Sequence, residues 1–228
     1  MEDLLVLYAQ PYDPREPVIL LDELPVACTA HTRDPLPPAP GQVAREDYEY
    51  ERRGSGTVFI AFQPLAGWRA LWVQPQRTRL ELADVLRDLV DVHFPEATRI
   101  RLVCDNLNTH TNGALYLAFP GDEAGRIMAK LDWHFTPKHA SWLNMAESEL
   151  SVLVRQCLKR RLPDQATMQT EADAWAARRN RDRVTVRWTF TVEQARVKLR
   201  KLYPVPAADP AADPPVNLPA DASTESSG

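Results

Sequence analysis

The sequence VILLD occupies residues 18–22 and is a short, continuous apolar run that ends in an aspartate. Runs of this kind are typical of strands buried in the centre of a sheet. A second run, RIRLVC at residues 99–104, is followed directly by Asp105. If the two strands are parallel, their carboxyl ends meet at one edge of the sheet, where ligands of α/β proteins gather. The sequence therefore predicts that Asp22 and Asp105 lie side by side.

The rest of the pattern indicates an α/β protein. Residues 57–62 and 68–74 are β-branched and aromatic and are separated by a turn that ends in glycine, which predicts a hairpin. Thr78 and Glu81 have capping-box spacing before an amphipathic helix. The remaining predicted elements are a helix at 109–119, a strand at 132–135 and helices at 141–161, 165–179 and 192–203. This order predicts a mixed five-stranded sheet flanked by helices, with the two aspartate-terminated strands at its centre.

The chain of 228 residues is long enough for one sizeable domain, which we place at residues 1–203. Within it, residues 32–55 are rich in proline and predict a long loop. Residues 204–228 hold six prolines, four acids and no base, which predicts a disordered tail rich in Pro, Ala and Asp. Residues 136–203 hold fourteen Lys or Arg against seven Asp or Glu. That surplus suits a polyanionic partner, although a solvated helical surface has a similar composition.

Several classes of protein are excluded by the same sequence. No apolar run reaches the length of a membrane span, and the chain opens without the basic segment of a signal peptide. Cys28, Cys104 and Cys157 are far apart and form no CxxC pair, which excludes a disulfide scaffold and fits a reducing cytoplasm. The GxSxG, HExxH, GxGxxG and P-loop motifs are absent.

Three carboxylates remain as candidates for chemistry. Asp22 and Asp105 would repel each other without a cation and suit Mg²⁺, or each simply ends its strand and caps the next turn. On an ideal helix over 141–161, Glu147 lies on the apolar face that turns toward the sheet, whereas Glu149 points to solvent. A carboxylate on a buried face needs either a basic partner or the cation that the two aspartates hold.

Three strings of residues carry a family resemblance: LDE at 21–23, VCDNLNTH at 103–110 and TPKHASWLNMAE at 136–147. Together they resemble bacterial insertion-sequence transposases of the insertion-sequence 630 family, in the mariner-related superfamily. The resemblance covers residues 1 to 204, nearly all of the predicted domain. It implies a ribonuclease H-like catalytic domain with an Asp-Asp-Glu triad.

By position, the resemblance assigns catalysis and metal binding to Asp22, Asp105 and Glu147. The implied cofactor is Mg²⁺ or Mn²⁺, as two ions that activate the attacking hydroxyl and stabilise the leaving oxygen. The implied activity is DNA cleavage at element ends, followed by attack of the freed 3′-hydroxyl on target DNA. Two alternatives stay open: another ribonuclease H-like nuclease, acting on RNA–DNA hybrids or DNA junctions, and a catalytically silent DNA-binding remnant of a transposon.

The implied partners are DNA, as transposon ends and as target, and a second copy of the chain in a homodimeric active complex. The 41 residues between Asp105 and Glu147 are more than is usual in the superfamily, and residues 121–130 are the expected insertion. The chain also begins almost at the catalytic domain. We therefore expect the helix-turn-helix region of the family to be missing, or to be a separately encoded N-terminal DNA-binding product.

The residues expected to contact DNA near the triad are Asn106, His110, Lys138, His139 and Asn144. The alternative for His110 is a backbone hydrogen bond at a helix start, and the alternative for Lys138 and His139 is a solvated loop. Trp142 is expected to pack in the core rather than to stack on a base. Five arginines are expected either to follow a DNA backbone or only to form a solvated surface, namely those at 178, 179, 181, 183 and 187.

Overall fold

The computed structural model describes residues 1–106, 113–138 and 140–203. The strands are β1 (Val18–His31), β2 (Tyr50–Gln63), β3 (Trp68–Gln74), β4 (Ile100–Cys104) and β5 (Leu131–Phe135). The α-helices are α1 (Glu2–Tyr8), α2 (Arg79–Asp88), α3 (Gly113–Ala118), α4 (Gly121–Lys130), α5 (Met145–Leu153), α6 (Gln165–Arg181) and α7 (Val192–Lys198). One π-helical turn (Leu89–His93) continues α2 and another (Val154–Leu158) continues α5, while 3₁₀ turns occur at Ser141–Leu143 and Arg200–Leu202.

The five strands form one sheet in the order β3-β2-β1-β4-β5. The pairs β1–β2 and β2–β3 are antiparallel, whereas β1–β4 and β4–β5 are parallel. The two apolar runs that end in aspartate are therefore neighbours in the middle of the sheet. The predicted α/β fold class, a mixed five-stranded sheet flanked by helices, is confirmed.

Side chains alternate between the two faces of this sheet. Ile19 and Leu21 of β1 belong to a buried cluster that includes side chains of α2, α3 and α4. The intervening residues Leu20 and Asp22 project to the opposite face, where α5 contacts β1 and β2 and α6 contacts β3. The same alternation in β4 directs Asp105 to the α5 side. Both aspartates thus face the helix that carries the third acid.

The β2–β3 hairpin and the start of α2 follow the local sequence signals. Gly67 in the hairpin turn has a φ of +67°, and a Cβ at this position would lie 2.7 Å from the carbonyl carbon of Arg183. Only glycine combines that conformation with that close approach. The backbone N–H of Thr78 donates to the carboxylate of Glu81 at 2.9 Å, which confirms the predicted capping box.

The first two strands are longer than the sequence predicted. β1 does not end at Asp22 but runs to His31, where it still pairs with Tyr50 of β2. The prediction of a loop over 32–55 is therefore wrong for its last six residues, which belong to β2. The reason is that β4 pairs with β1 only from Val18 to Leu20, so the outer part of β1 has one partner strand and lacks a continuous apolar pattern.

The outer edge of the sheet is covered by side-chain amides of α6. The backbone N–H of Arg69 donates to Asn180 Oδ1 at 2.9 Å, and Asn180 Nδ2 donates to the carbonyl of Arg69 at 2.8 Å. Gln169 accepts from the N–H of Val73 at 2.6 Å and donates to the carbonyl of Leu71 at 3.1 Å. These amides form hydrogen bonds with backbone N–H and C=O groups of β3 that could otherwise pair with another strand.

The chain divides into two units, Met1–Val192 and Glu193–Gly228. The first unit contains the whole sheet and α1 to α6. The predicted tail at 204–228 lies outside the described residues. In the described part of the chain, none of the helices combines the length and the apolar character of a membrane span.

Candidate active site

A cleft of about 510 Å³ lies at the carboxyl end of the central strands. Its walls come from β1, from the segment after β4, and from α5 with the turns on either side of it. The lining residues are Asp22, Glu23, Leu24, Asp105, Ser141, Asn144, Glu147, Leu150, Ser151, Val154 and Arg155. The three carboxylates that the sequence singled out, Asp22, Asp105 and Glu147, therefore line one cleft.

The register of the two central strands explains how the aspartates meet. The last parallel pair is Leu20 with Val103. Asp22 and Asp105 each follow that pair by two residues, so both lie at the level where β1 and β4 part. The separation of the strands opens the cleft between them. Each aspartate is half-buried there.

Asp22 occupies an environment that disfavours a negative charge. Burial is the main cause that raises its pKa to about 7, and the charges of Glu23, Asp105 and Glu147 raise it further. The backbone N–H of Glu23 donates to Asp22 Oδ1 at 2.9 Å and partly offsets these effects. A carboxylate so placed gains from a cation, because a cation removes the repulsion that its neighbours impose.

Glu147 reaches the cleft from the first turn of α5. Asn144 is the N-cap of this helix, because its side chain accepts from the backbone N–H of Ala146 at 3.1 Å. The Nδ2 of Asn144 also donates to the carbonyl of Leu21 at 3.0 Å. One buried amide therefore ties the start of α5 to the strand residue just before Asp22.

The sequence placed Glu147 on a buried face and Glu149 in solvent, and both statements about burial are wrong. Glu147 is exposed to the cleft, whereas Glu149 is only 3% exposed. Arg179 Nε lies 2.7 Å from Glu149 Oε1, and Arg69 Nε lies 2.8 Å from the same oxygen. The helical angle separates the two acids correctly, but α6 and β3 cover the side of α5 that the prediction left to solvent.

Of the residues predicted to contact DNA, the structure describes three. Asn106 and Lys138 are exposed next to strand ends, whereas both polar atoms of the Asn144 side chain are used within the protein. His110 and His139 lie outside the described residues. DNA contact stays a prediction for all five. Among the arginines suggested for the DNA backbone, the one at 179 is instead directed to the interior.

Two charged residues of the cleft, Glu23 and Arg155, received no role in the sequence analysis, although Glu23 belongs to the LDE string. Glu23 adds a fourth carboxylate directly after Asp22. Arg155 is the one cationic side chain among the described residues that line the cleft. Its position was readable from the sequence, since residues 147, 151 and 155 follow each other at intervals of one helical turn.

The donor set of the cleft suits a hard divalent cation. Carboxylates from β1, from the end of β4 and from α5 are the oxygen ligands that Mg²⁺ and Mn²⁺ prefer. Within residues 1–106, 113–138 and 140–203, no three acidic, histidine or cysteine side chains are arranged to hold a metal ion as they stand. The residues therefore fit a metal by their chemistry, and an ion would have to draw them closer together.

The sequence model described as DDE superfamily endonuclease matches residues 17–169. No curated protein matches the chain.

Solved structures with a similar fold include several of Mos1 mariner transposase. Its paired-end complex with Mn is 20% identical with a TM-score of 0.47, over 78% of this chain and 52% of that chain. Its catalytic domain is 13% identical with a TM-score of 0.45, over 77% of this chain and 76% of that chain. A pre-cleavage Mos1 transpososome is 16% identical with a TM-score of 0.43, over 80% and 59% of the two chains. This chain thus spans about half the length of the Mos1 chain in the paired-end complex.

Proposed function

The chain belongs to the DDE superfamily endonucleases, and from this premise we propose that it is the catalytic domain of a DNA transposase of the insertion-sequence 630 family. The observation that carries the proposal is the meeting of Asp22, Asp105 and Glu147 in one cleft. They come from two adjacent strand ends and one helix, and their mutual repulsion, which a bound cation would relieve, contributes to the raised pKa of Asp22. The reaction proposed is DNA strand cleavage followed by transfer of a 3′-hydroxyl to target DNA.

Asp22, Asp105 and Glu147 are the residues that would hold the metal, as one or two Mg²⁺ or Mn²⁺ ions. Bound there, the metal would lower the pKa of the attacking hydroxyl and stabilise charge on the leaving oxygen. The chain itself orients these carboxylates. The Glu23 backbone N–H fixes one oxygen of Asp22, and the cap at Asn144 fixes the helix start that presents Glu147.

A DNA strand is the substrate that this cleft and its surroundings suit. Arg155 in the wall of the cleft offers a positive charge to a phosphate, and Asn106 and Lys138 lie exposed beside the strand ends. Transposon ends and target DNA are the proposed partners, with a second copy of the chain in the active complex. The buried free thiols agree with a cytoplasmic location.

The test is a strand-transfer assay in Mg²⁺. Labelled duplexes with the DNA that flanks the gene are incubated with the protein and a supercoiled target plasmid. Covalent joining of the label to the plasmid, lost in Asp105→Asn, is the expected result. Hydrolysis without joining would identify another nuclease of this fold. Binding of the duplex with neither cleavage nor joining, also in Mn²⁺, would identify a silent DNA-binding remnant.

A further inference from the structure

An aromatic cluster lies beside the acidic cleft. Trp142, which the sequence assigned to the core, is 43% exposed. Its ring is stacked on that of Trp188, with centroids 6.1 Å apart and planes inclined by 22°, and the edge of Phe190 lies 6.0 Å away. Tyr8 packs against Trp188, with ring centroids 5.3 Å apart. The partly exposed ring of Trp142 thus contacts two rings directly and is linked to a third through Trp188.

Hydrogen bonds hold this cluster in place. The hydroxyl of Tyr8 donates to the carbonyl of Leu143 at 2.7 Å, directly after Trp142. The indole Nε1 of Trp188 donates to the carbonyl of Phe190 at 2.8 Å. A rigid aromatic face loses little conformational entropy when a ligand binds to it. The cluster is therefore preorganised although Trp142 is partly open to solvent.

The cluster is continuous with the cleft. Ser141 and Asn144, which flank the 142–143 dipeptide, both line the cleft that holds the three carboxylates. A polymer bound in the cleft would therefore lie close to this turn. Trp142 does not itself line the cleft, but it is the exposed large apolar side chain of the turn.

The charge of the neighbouring segment favours a polyanion. Residues 181–190 read RDRVTVRWTF and carry three arginines. Arg183 and Arg187 are exposed and have no ion pair within the described residues, whereas Arg181 pairs with Asp182 at 3.1 Å. Aromatic side chains interleaved with cations are the pattern with which proteins bind unpaired nucleic-acid strands, because bases stack on the rings while the cations follow the phosphates.

We propose that Trp142 is a stacking site for an unpaired nucleobase of the DNA strand that enters the cleft. The proposal rests on the proposed function, which names DNA as the polymer that enters the cleft. It goes further in stating that the bound strand is unpaired next to the reacting phosphate. It also assigns to the 141–143 turn a direct contact with substrate.

The test compares three side chains at position 142 by fluorescence anisotropy in EDTA and at elevated salt. The ligands are a labelled oligo-dT strand and a labelled duplex of equal length. Trp142→Leu keeps apolar bulk but removes the aromatic face, and it should weaken oligo-dT binding about ten-fold while changing duplex binding less than about two-fold. Trp142→Phe keeps an aromatic face and should stay within about three-fold of the parent for both ligands.

Two results would overturn the stacking site. One is equal weakening of single-strand and duplex binding by Trp142→Leu, and the other is oligo-dT binding that no substitution changes. Thermal unfolding of each variant ensures that binding is compared between folded proteins. Because EDTA removes the metal, the outcome does not depend on cleavage, and a failure of the proposed catalytic function appears separately in the strand-transfer assay.

Discussion

Arg69 Nε lies 2.8 Å from Oε1 of Glu149, and both side chains are almost completely buried. Arg179 completes a group of three with its own bond to Glu149, and the guanidinium of Arg69 also donates to the carbonyl of Val184 at 2.8 Å. This group attaches α5 to β3 and α6. Because Glu149 is held on that side, Glu147 projects from the other side of α5 into the cleft. A buried ion group thus sets the orientation of the helix that carries the third acid.

The first prediction concerns the stability of the two glutamate variants. Glu149→Gln leaves Arg69 buried next to a neutral partner, and we expect the free energy of unfolding to fall by about 3–5 kcal/mol. Glu147→Gln changes an exposed group and should alter it by less than about 1 kcal/mol. Urea denaturation measures both. If Glu147→Gln were the destabilising substitution, the orientation of α5 described above would be wrong.

The second prediction concerns the pH dependence of stability. Burial raises the pKa of Asp22 in the folded chain from the ordinary range of an aspartate to about 7. Between about pH 4 and pH 7 the folded state therefore keeps a proton that the unfolded state releases. The contribution of Asp22 to the free energy of unfolding falls as the pH rises through this range and is constant above it. Asp22→Asn should remove this decline, which thermal unfolding across this pH range would detect.

The third prediction adds a metal to the same measurement. Mg²⁺ or Mn²⁺ binds ionised carboxylates, so it should raise the melting temperature of the parent at pH 8 much more than at pH 5. Asp22→Asn should lose most of the rise at pH 8, because one ligand is neutral. A metal-dependent rise of equal size in parent and variant would show that the ion binds elsewhere.

The fourth prediction concerns the covered sheet edge. Asn180→Ala removes two hydrogen bonds to the backbone of Arg69, and we expect a loss of about 1–3 kcal/mol in the free energy of unfolding. Combined with Gln169→Ala, it should also increase self-association, because an open edge strand pairs with another chain. Light scattering at matched concentration measures this. The control is Thr170→Ala, an exposed substitution on the same helix. This variant should self-associate no more than the parent.

The fifth prediction concerns the cap of α5. Asn144→Ala removes both the N-cap and the hydrogen bond to the carbonyl of Leu21. We expect the free energy of unfolding to fall by about 1–3 kcal/mol. Asn144→Asp keeps the acceptor for the helix N–H and replaces the amide donor to Leu21 by a carboxyl O–H, which can donate only while it is protonated. It should therefore lie between parent and Ala in urea denaturation at low pH. Ser148→Ala, an exposed change on α5, should be neutral, and a neutral Asn144→Ala would contradict the role of the cap.

Local patterns in the sequence were sufficient to predict the centre of the fold. The apolar runs before Asp22 and Asp105, together with the rule that ligands gather at the carboxyl ends of parallel strands, placed two acids at one edge. Glycine in the hairpin turn and the capping box at Thr78 were equally local signals. Each of these features depends on residues that are close together in the chain.

Features that depend on distant residues were not predictable in this way. The burial of Glu149 depends on Arg69, which is far away in the sequence, and on a helix that covers α5 from outside. The full length of β1 depends on its pairing with β2 beyond the point where β4 ends. The partial exposure of Trp142 depends on the rings of Trp188 and Phe190. A hydrophobic pattern along one helix or strand carries no information about such partners.

The measurement that tests the central claim most directly is the initial rate at which supercoiled plasmid is nicked, compared between the parent and Glu147→Gln at equal folded fraction. The parent should nick DNA in Mg²⁺ or Mn²⁺ and be inactive in EDTA. Glu147→Gln keeps the volume of the side chain but removes the charge that a metal requires, so it should be inactive in either metal. Nicking by Glu147→Gln at the rate of the parent would contradict a catalytic site formed by Asp22, Asp105 and Glu147.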